Sequence, residues 1–103
     1  MIKVSVFYPN GDGASFDLDY YLDRHIPMVS EALGPACKSL SVDAGVAGGT
    51  SGEPAPYVAM THLLFESVET VQAVLASHAE KIFSDTPNFT NLQPIFQISV
   101  VKV

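Results

Sequence analysis

Hydrophobic and polar positions recur with two different periods along the chain, and these periods predict six elements. Partial alternation with many β-branched and aromatic residues predicts strands at residues 2–8, 57–65 and 95–101, with a shorter strand within residues 36–46. Apolar residues spaced three or four apart predict helices after Asp17 and after Ser67. Both residues are suited to accept from the free N–H groups of a first helical turn. The order is β-α-β-β-α-β.

This order predicts a ferredoxin-like α+β domain. Its four-stranded antiparallel sheet carries both helices on one face, because right-handed crossovers bring them to the same side. The strands at residues 57–65 and 95–101 are apolar on both faces. An apolar sheet face that no helix covers requires a partner, and the simplest partner is a second copy. We therefore expect a homodimer.

Composition narrows the classes of function. The 103 residues suffice for one domain spanning 1–103, and 48% apolar with 16% charged residues excludes a disordered chain. A net charge of −6 repels phosphate backbones, so we expect no nucleic-acid partner. No apolar run approaches the ~18 residues of a membrane span. The lone Cys37 excludes an internal disulfide, and the N-terminus lacks a secretion pattern, so we expect a cytoplasmic protein without membrane association.

His25 is the most informative residue for chemistry. Helical spacing places it on the apolar face of the first helix, one turn after Tyr21 and one turn before Val29. A buried imidazole must either be fully hydrogen-bonded or line a cavity, and burial disfavours its charged form. We expect His25 to act as a general acid or base and Tyr21 to position a ligand. The alternatives are a structural histidine bonded to a backbone carbonyl and a tyrosine that only packs in the core.

Two other features bear on the same region. Pro27 either kinks the first helix or restarts it, and both readings leave irregular backbone beside His25. His62 is expected on the dimer side of the sheet and His78 on the surface. These three histidines lack metal-ligand spacing, so we expect no metal.

The stretch from Tyr20 to Val29 (YYLDRHIPMV) resembles the signature of the EthD family, with paired aromatics followed by His-x-Pro and an apolar residue. Phe65-Glu66-Ser67-Val68-Glu69 and the segment from Asp85 to Thr90 resemble the start of that family's second helix and its acidic-to-Phe segment. The resemblance spans nearly the whole chain and implies a homodimeric α+β barrel. That fold is shared by cofactor-free oxygenases, lactone isomerases, polyketide cyclases, haem-degrading enzymes and binding proteins. It also implies a link to the degradation of small organic compounds.

These observations predict an enzyme that uses no cofactor and acts on a small apolar or aromatic metabolite. The reaction would be an isomerisation, cyclisation, lyase step or cofactor-free oxygenation, with the ligand between the first helix and the sheet. The expected pocket walls are Phe7, Leu22, Val29, Phe65, Asn88 and Phe89. The alternatives are a non-catalytic binding or accessory protein, and a haem-binding protein with His25 as axial ligand.

Overall fold

The computed structural model describes residues 1–103 and contains the six elements in the predicted order. The strands are β1 (Ile2–Pro9), β2 (Ser39–Ala44), β3 (Tyr57–Phe65) and β4 (Ile95–Val100). Helix α1 consists of three consecutive segments, Leu18–Tyr20, Tyr21–His25 and Ile26–Leu33, and helix α2 is Val68–Ser84. None of these helices combines the length and the apolarity that crossing a bilayer demands.

The sheet is antiparallel throughout, with the strand order β2-β3-β1-β4. In the central strands, Ile2 lies opposite Phe65 on one side and Val100 on the other. Both helices pack on the same face, since Val29 of α1 and Val71 of α2 share one buried cluster with the sheet residues. The ferredoxin-like α+β prediction is therefore confirmed.

The core has two adjoining clusters. The larger is aliphatic and lies beneath both helices, with Val71 and Phe65 almost completely buried. The smaller is dominated by the aromatic residues Tyr8, Tyr21 and Phe89. A cavity lies where the two clusters adjoin, with Val29 and Leu63 of the first and Val6 and Tyr21 of the second in its walls.

Local signals explain both helix starts. The Tyr20 N–H donates to the Asp17 carboxylate at 3.0 Å, and the Thr70 N–H donates to the Ser67 hydroxyl at 3.1 Å, as both capping residues predicted. Inside α1, the Ile26 N–H donates to the carbonyl of Tyr21, five residues earlier, so residues 21–25 form a π-helical turn. Such turns are rare and insert an extra residue into the helix. Here the π turn ends at His25, and α-helical geometry resumes at Ile26 with Pro27 in the first turn of that segment.

The helix-free face of the sheet is mixed rather than apolar. It carries Phe7 and Met60 together with His62, whose Nδ1 lies 2.9 Å from the Ser5 hydroxyl. Phe7 was expected in the pocket, and its position corrects that expectation. Side chains alternate along a strand, and Val4, Val6 and Tyr8 of β1 occupy the helix side, so Phe7 must point away.

Edge strand β4 is only partly covered. Phe96, Ile98 and Val100 lie on the helix side of the sheet, because each stands opposite a buried β1 residue. They are nevertheless 45%, 49% and 59% exposed, because the helices sit over the other strands. The layer between helices and sheet is therefore open along β4.

Candidate functional site

A cavity of about 320 Å³ lies between α1 and the helix side of the sheet. Its walls are mostly apolar, with Val29 from α1, Val6 from β1 and Ile98 from β4. Its polar wall is formed by His25, Tyr21, Tyr8 and Thr61. An apolar space of this size with a few converging polar groups is typical of small-molecule sites. We call it the inner cavity.

His25 is almost completely buried, and its ring is held by a carboxylate. Its Nδ1 lies 2.8 Å from Oδ2 of Asp85, which follows the C-terminal end of α2. The ring also stacks on Tyr21, with centroids 5.1 Å apart and planes at 19°, and contacts Phe89 at 4.6 Å. The partner of His25 is thus a side chain and not the backbone carbonyl of the structural alternative.

Asp85 is itself held by two donors on its other oxygen. The Tyr20 hydroxyl donates to Oδ1 at 2.8 Å, and the Asn88 amide donates to the same atom at 2.9 Å. Partial burial alone would raise the pKa of Asp85, but the hydrogen bonds from Asn88, His25 and Tyr20 outweigh it and lower the pKa. Asp85 is therefore a carboxylate at neutral pH and accepts a hydrogen from His25 Nδ1.

This arrangement leaves His25 Nε2 as the chemically available atom. No group of the chain hydrogen-bonds to Nε2. Every fully buried side-chain nitrogen or oxygen has a hydrogen-bond partner, so Nε2 is not fully buried. Because His25 lines the inner cavity, Nε2 is accessible from that space. With the hydrogen on Nδ1, His25 presents a lone pair at Nε2 to the cavity.

Three hydroxyl groups form the opposite part of the polar wall. The Tyr21 hydroxyl and the Thr61 hydroxyl are 2.6 Å apart, and the Tyr8 ring packs edge-to-face on Tyr21 at 5.6 Å. Burial raises the pKa of Tyr8, and its neighbour Tyr21 raises it further. Burial also raises the pKa of Tyr21, although hydrogen bonds from Thr61 and Tyr8 oppose the shift. Both phenols therefore stay protonated at neutral pH, and because Tyr21 accepts from Thr61 and Tyr8, its own hydrogen can be donated to an oxygen in the cavity.

The structure brings together some of the residues that the sequence placed at the site and separates others. His25, Tyr21 and Val29 line the inner cavity, and Phe89 packs on the His25 ring. Phe65 lies on the helix side but within the aliphatic core cluster. Asn88 is connected to His25 only indirectly, because its amide donates to Asp85.

Leu22 does not reach the cavity and is 43% exposed. It directly follows Tyr21, and neighbouring residues on a helix point in different directions, so the π turn that directs Tyr21 and His25 inward leaves Leu22 outside. Of the six expected wall residues, only Val29 lines the cavity. Phe65, Asn88 and Phe89 lie behind its walls, whereas Phe7 and Leu22 point away from it.

Three residues of the site were not anticipated, namely Asp85, Tyr8 and Thr61. The sequence indicated no titratable group converging with His25, and the structure corrects this with Asp85, sixty positions away. In the sequence, Asp85 was noted only as the start of the acidic-to-Phe segment. Tyr8 and Thr61 each follow the alternation of their strand, which would have indicated the helix side, but nothing local shows that a cavity lies there.

No set of three His, Cys, Asp or Glu side chains converges closely enough to hold a metal ion. The groups at the cavity are therefore one imidazole–carboxylate pair and neutral hydroxyls. Such a set is suited to moving a proton and to stabilising a negatively charged oxygen.

Comparison with solved structures places the chain in a structural class. Its fold is shared by a dimeric ferredoxin-like protein of unknown function from Thermobifida fusca YX, at 14% identity and a TM-score of 0.60 over 97% of this chain and 90% of that one. An ethyl tert-butyl ether D (EthD) family protein from Bacillus halodurans C-125 matches at 15% identity and a TM-score of 0.61, over 92% and 96% of the two chains. The class is thus the ferredoxin-like α+β proteins.

The family follows from closer likeness. The model of the EthD domain matches residues 13–93. A crystal structure of an EthD-like protein from Ralstonia eutropha JMP134 is 45% identical, with a TM-score of 0.94 over 99% of this chain and 92% of that one. No curated protein matches this sequence. The chain belongs to the EthD family, as the motif around His25 indicated.

Proposed function

We propose that this protein is a cofactor-independent enzyme that transfers a proton on a small apolar or aromatic metabolite, with His25 as the base. The observation that carries the proposal is the Asp85–His25 pair, which presents an unpartnered Nε2 to an enclosed apolar cavity. A histidine that only packs in the core needs no ionisable partner, and removing a carboxylate from water costs free energy. Ionisable pairs of this kind are concentrated at functional sites.

The arrangement supports proton abstraction next to a carbonyl group. Nε2 of His25 would take a hydrogen from the α-carbon, and the electron pair of that C–H bond would move onto the carbonyl oxygen. The Tyr21 hydroxyl, which is protonated and accepts a hydrogen bond from Tyr8, would donate to the resulting enolate oxygen. Return of the proton to a different carbon completes an isomerisation, and attack of the enolate carbon on a second carbonyl gives a cyclisation in which the oxygen of that carbonyl takes the proton from His25 Nε2. Neither route requires an oxidant.

Hydrogen exchange tests this step without knowledge of the natural substrate. We expect the protein to accelerate deuterium incorporation at the α-carbons of 2-tetralone in D₂O, followed by proton NMR. His25→Ala should reduce this acceleration at least 100-fold, since general bases contribute roughly 10²–10⁴-fold. His78→Ala is the matched control, because His78 lies on α2 outside the inner cavity and its replacement should leave exchange unchanged.

Two results would contradict the proposal. Exchange at the wild-type rate in the His25→Ala variant would place the base elsewhere. Saturable binding of 2-tetralone without any exchange would favour the alternative of a non-catalytic binding protein.

We also infer that the protein works as a homodimer through the helix-free face. Apolar side chains such as Phe7 and Met60 lie there, and no element of the same chain covers them. A related fold is described as dimeric in the Thermobifida fusca protein. Sedimentation velocity at micromolar concentration should show twice the chain mass, and Phe7→Asp should produce monomers. A monomeric wild-type protein at that concentration would refute the dimer.

A further inference from the structure

The inner cavity adjoins a second space on the surface. An open groove of about 520 Å³ is bordered by Phe83 of α2, Phe96 of β4 and the connection between those two elements. We call it the outer groove. The two spaces share four lining residues, Phe83, Thr86, Pro94 and Phe96. Because both spaces have these residues in their walls, a molecule could extend from one into the other.

Two aromatic rings mark the boundary between the spaces. Phe83 and Phe96 pack at 5.1 Å between centroids with planes at 63°, and they are 42% and 45% exposed. Both rings are unusually accessible for phenylalanine, because β4 is not covered by the helices. Their exposed surfaces give an apolar contact to a ligand segment that lies alongside the pair, whereas a charged group there would be desolvated without a partner.

The outer groove differs from the inner cavity in its chemistry. None of its nine lining residues is charged, and its polar members are Thr86, Thr90, Asn91 and Gln93. Asn91 is already committed, since its amide accepts from the Ser15 N–H and donates to a backbone carbonyl, each at 2.9 Å. The Thr90 hydroxyl donates to the Ser15 carbonyl at 2.6 Å.

These hydrogen bonds hold Thr90 and Asn91 at the edge of the groove. The two remaining polar side chains of the groove take no part in them. The Thr86 hydroxyl and the Gln93 amide have no partner within the chain. Together they supply donors and acceptors without net charge. The partner best matched to them is a neutral group bearing hydroxyls or amides, not a carboxylate or a phosphate.

We propose that the outer groove is a second subsite, which binds the neutral, hydroxyl- or amide-bearing part of an amphipathic substrate whose apolar ring occupies the inner cavity. This inference rests on the proposed function and specifies its substrate class. The substrate would be larger than the inner cavity alone can hold, and its polar part would lie beyond Phe83 and Phe96.

Three fluorescent probes test the proposal on the intact protein, because the chain has no tryptophan to interfere. 1-Naphthol probes the inner cavity alone, 1-naphthyl β-D-glucopyranoside adds a neutral polyol, and 1-naphthyl phosphate adds an anion. Anisotropy titrations should show the glucoside binding about 5- to 10-fold more tightly than naphthol, as expected for one or two added net hydrogen bonds. The phosphate should bind more weakly than the glucoside, because the groove has no cation and the protein carries a net charge of −6.

Variants assign the gain to the groove. Gln93→Ala should bring the affinity for the glucoside close to that for naphthol and leave naphthol binding unchanged. Gln72→Ala is the matched control, because Gln72 is an exposed glutamine on α2 that lines neither the outer groove nor the inner cavity. Circular dichroism verifies that both variants fold.

Each outcome decides the matter. Equal affinity for glucoside and naphthol, or a glucoside preference that survives Gln93→Ala, would overturn the subsite while leaving the proton-transfer function to its own exchange test. Stronger binding of the phosphate would overturn the assignment to neutral groups. Failure of all three probes to bind would overturn the ligand-binding inner cavity and the subsite together.

Discussion

Replacing Asp85 with asparagine should reverse the hydrogen positions on His25. Two donors, the Tyr20 hydroxyl and the Asn88 amide, converge on Oδ1 of Asp85, whereas only His25 Nδ1 reaches Oδ2. In Asp85→Asn the new amide oxygen should therefore stay with the two donors, and the new NH₂ group should face Nδ1. Nδ1 must then accept, which moves the imidazole hydrogen to Nε2 and removes the lone pair from the cavity.

The magnitude follows from the bond that is lost. A hydrogen bond to a charged group contributes roughly 1.5–3 kcal/mol net, and this is the preference that Asp85 gives the tautomer with hydrogen on Nδ1. At about 1.4 kcal/mol per factor of ten, losing it should reduce the reactive tautomer, and 2-tetralone exchange with it, roughly 10- to 100-fold. The Asp85 side chain is partly exposed, and water weakens its hydrogen bond to His25. We therefore expect a decrease at the lower end of this range.

The assay reads the tautomer directly. Two-bond ¹H–¹⁵N correlation spectra of the imidazole at alkaline pH should show His25 with hydrogen on Nδ1 in the wild type and on Nε2 in Asp85→Asn. Asp43→Asn is the matched control, because Asp43 is an exposed carboxylate whose Oδ2 lies 3.7 Å from His62 Nε2. The His25 signals should not change in that variant. If Asp85→Asn kept the wild-type tautomer and the wild-type exchange rate, the role assigned to Asp85 would be refuted.

Three further outcomes can be checked. Tyr20→Phe removes one of the two donors on Oδ1, so the rate of exchange should fall less than in Asp85→Asn; an equal fall in the two variants would contradict this. Because the folded pKa of Asp85 is lowered, its contribution to stability is fully present above its ordinary value of 3.8 and is lost as pH falls through the folded value; urea unfolding followed by circular dichroism should therefore show the gap between wild type and Asp85→Asn closing below about pH 4. Val71→Ala should cost about 2 kcal/mol of unfolding free energy, since Val71 is completely buried in the core, whereas Val46→Ala, at a nearly fully exposed position, should cost less than about 0.5 kcal/mol.

Much of the site was visible in the sequence as local pattern. The period of α1 placed His25, Tyr21 and Val29 on one inward face, and Pro27 marked irregular backbone beside them. The π turn was not predictable from the sequence, because one inserted residue changes the spacing of the apolar residues too little to be recognised. Strand alternation also held sufficient information to place Phe7 on the helix-free face, once Val4, Val6 and Tyr8 are assigned to the other.

The sequence alone determined the order of the elements, their caps and the direction in which His25 points, because these depend on neighbours within a few residues along the chain. Only the tertiary structure decided that Asp85 meets His25, that Tyr8 and Thr61 add hydroxyls opposite them, and that β4 leaves the layer open beside Phe96. These features join residues tens of positions apart. These residues come together because of how the end of α2 packs against α1 and because of the register of the strands. A periodic pattern within one element contains no information about contacts between distant elements.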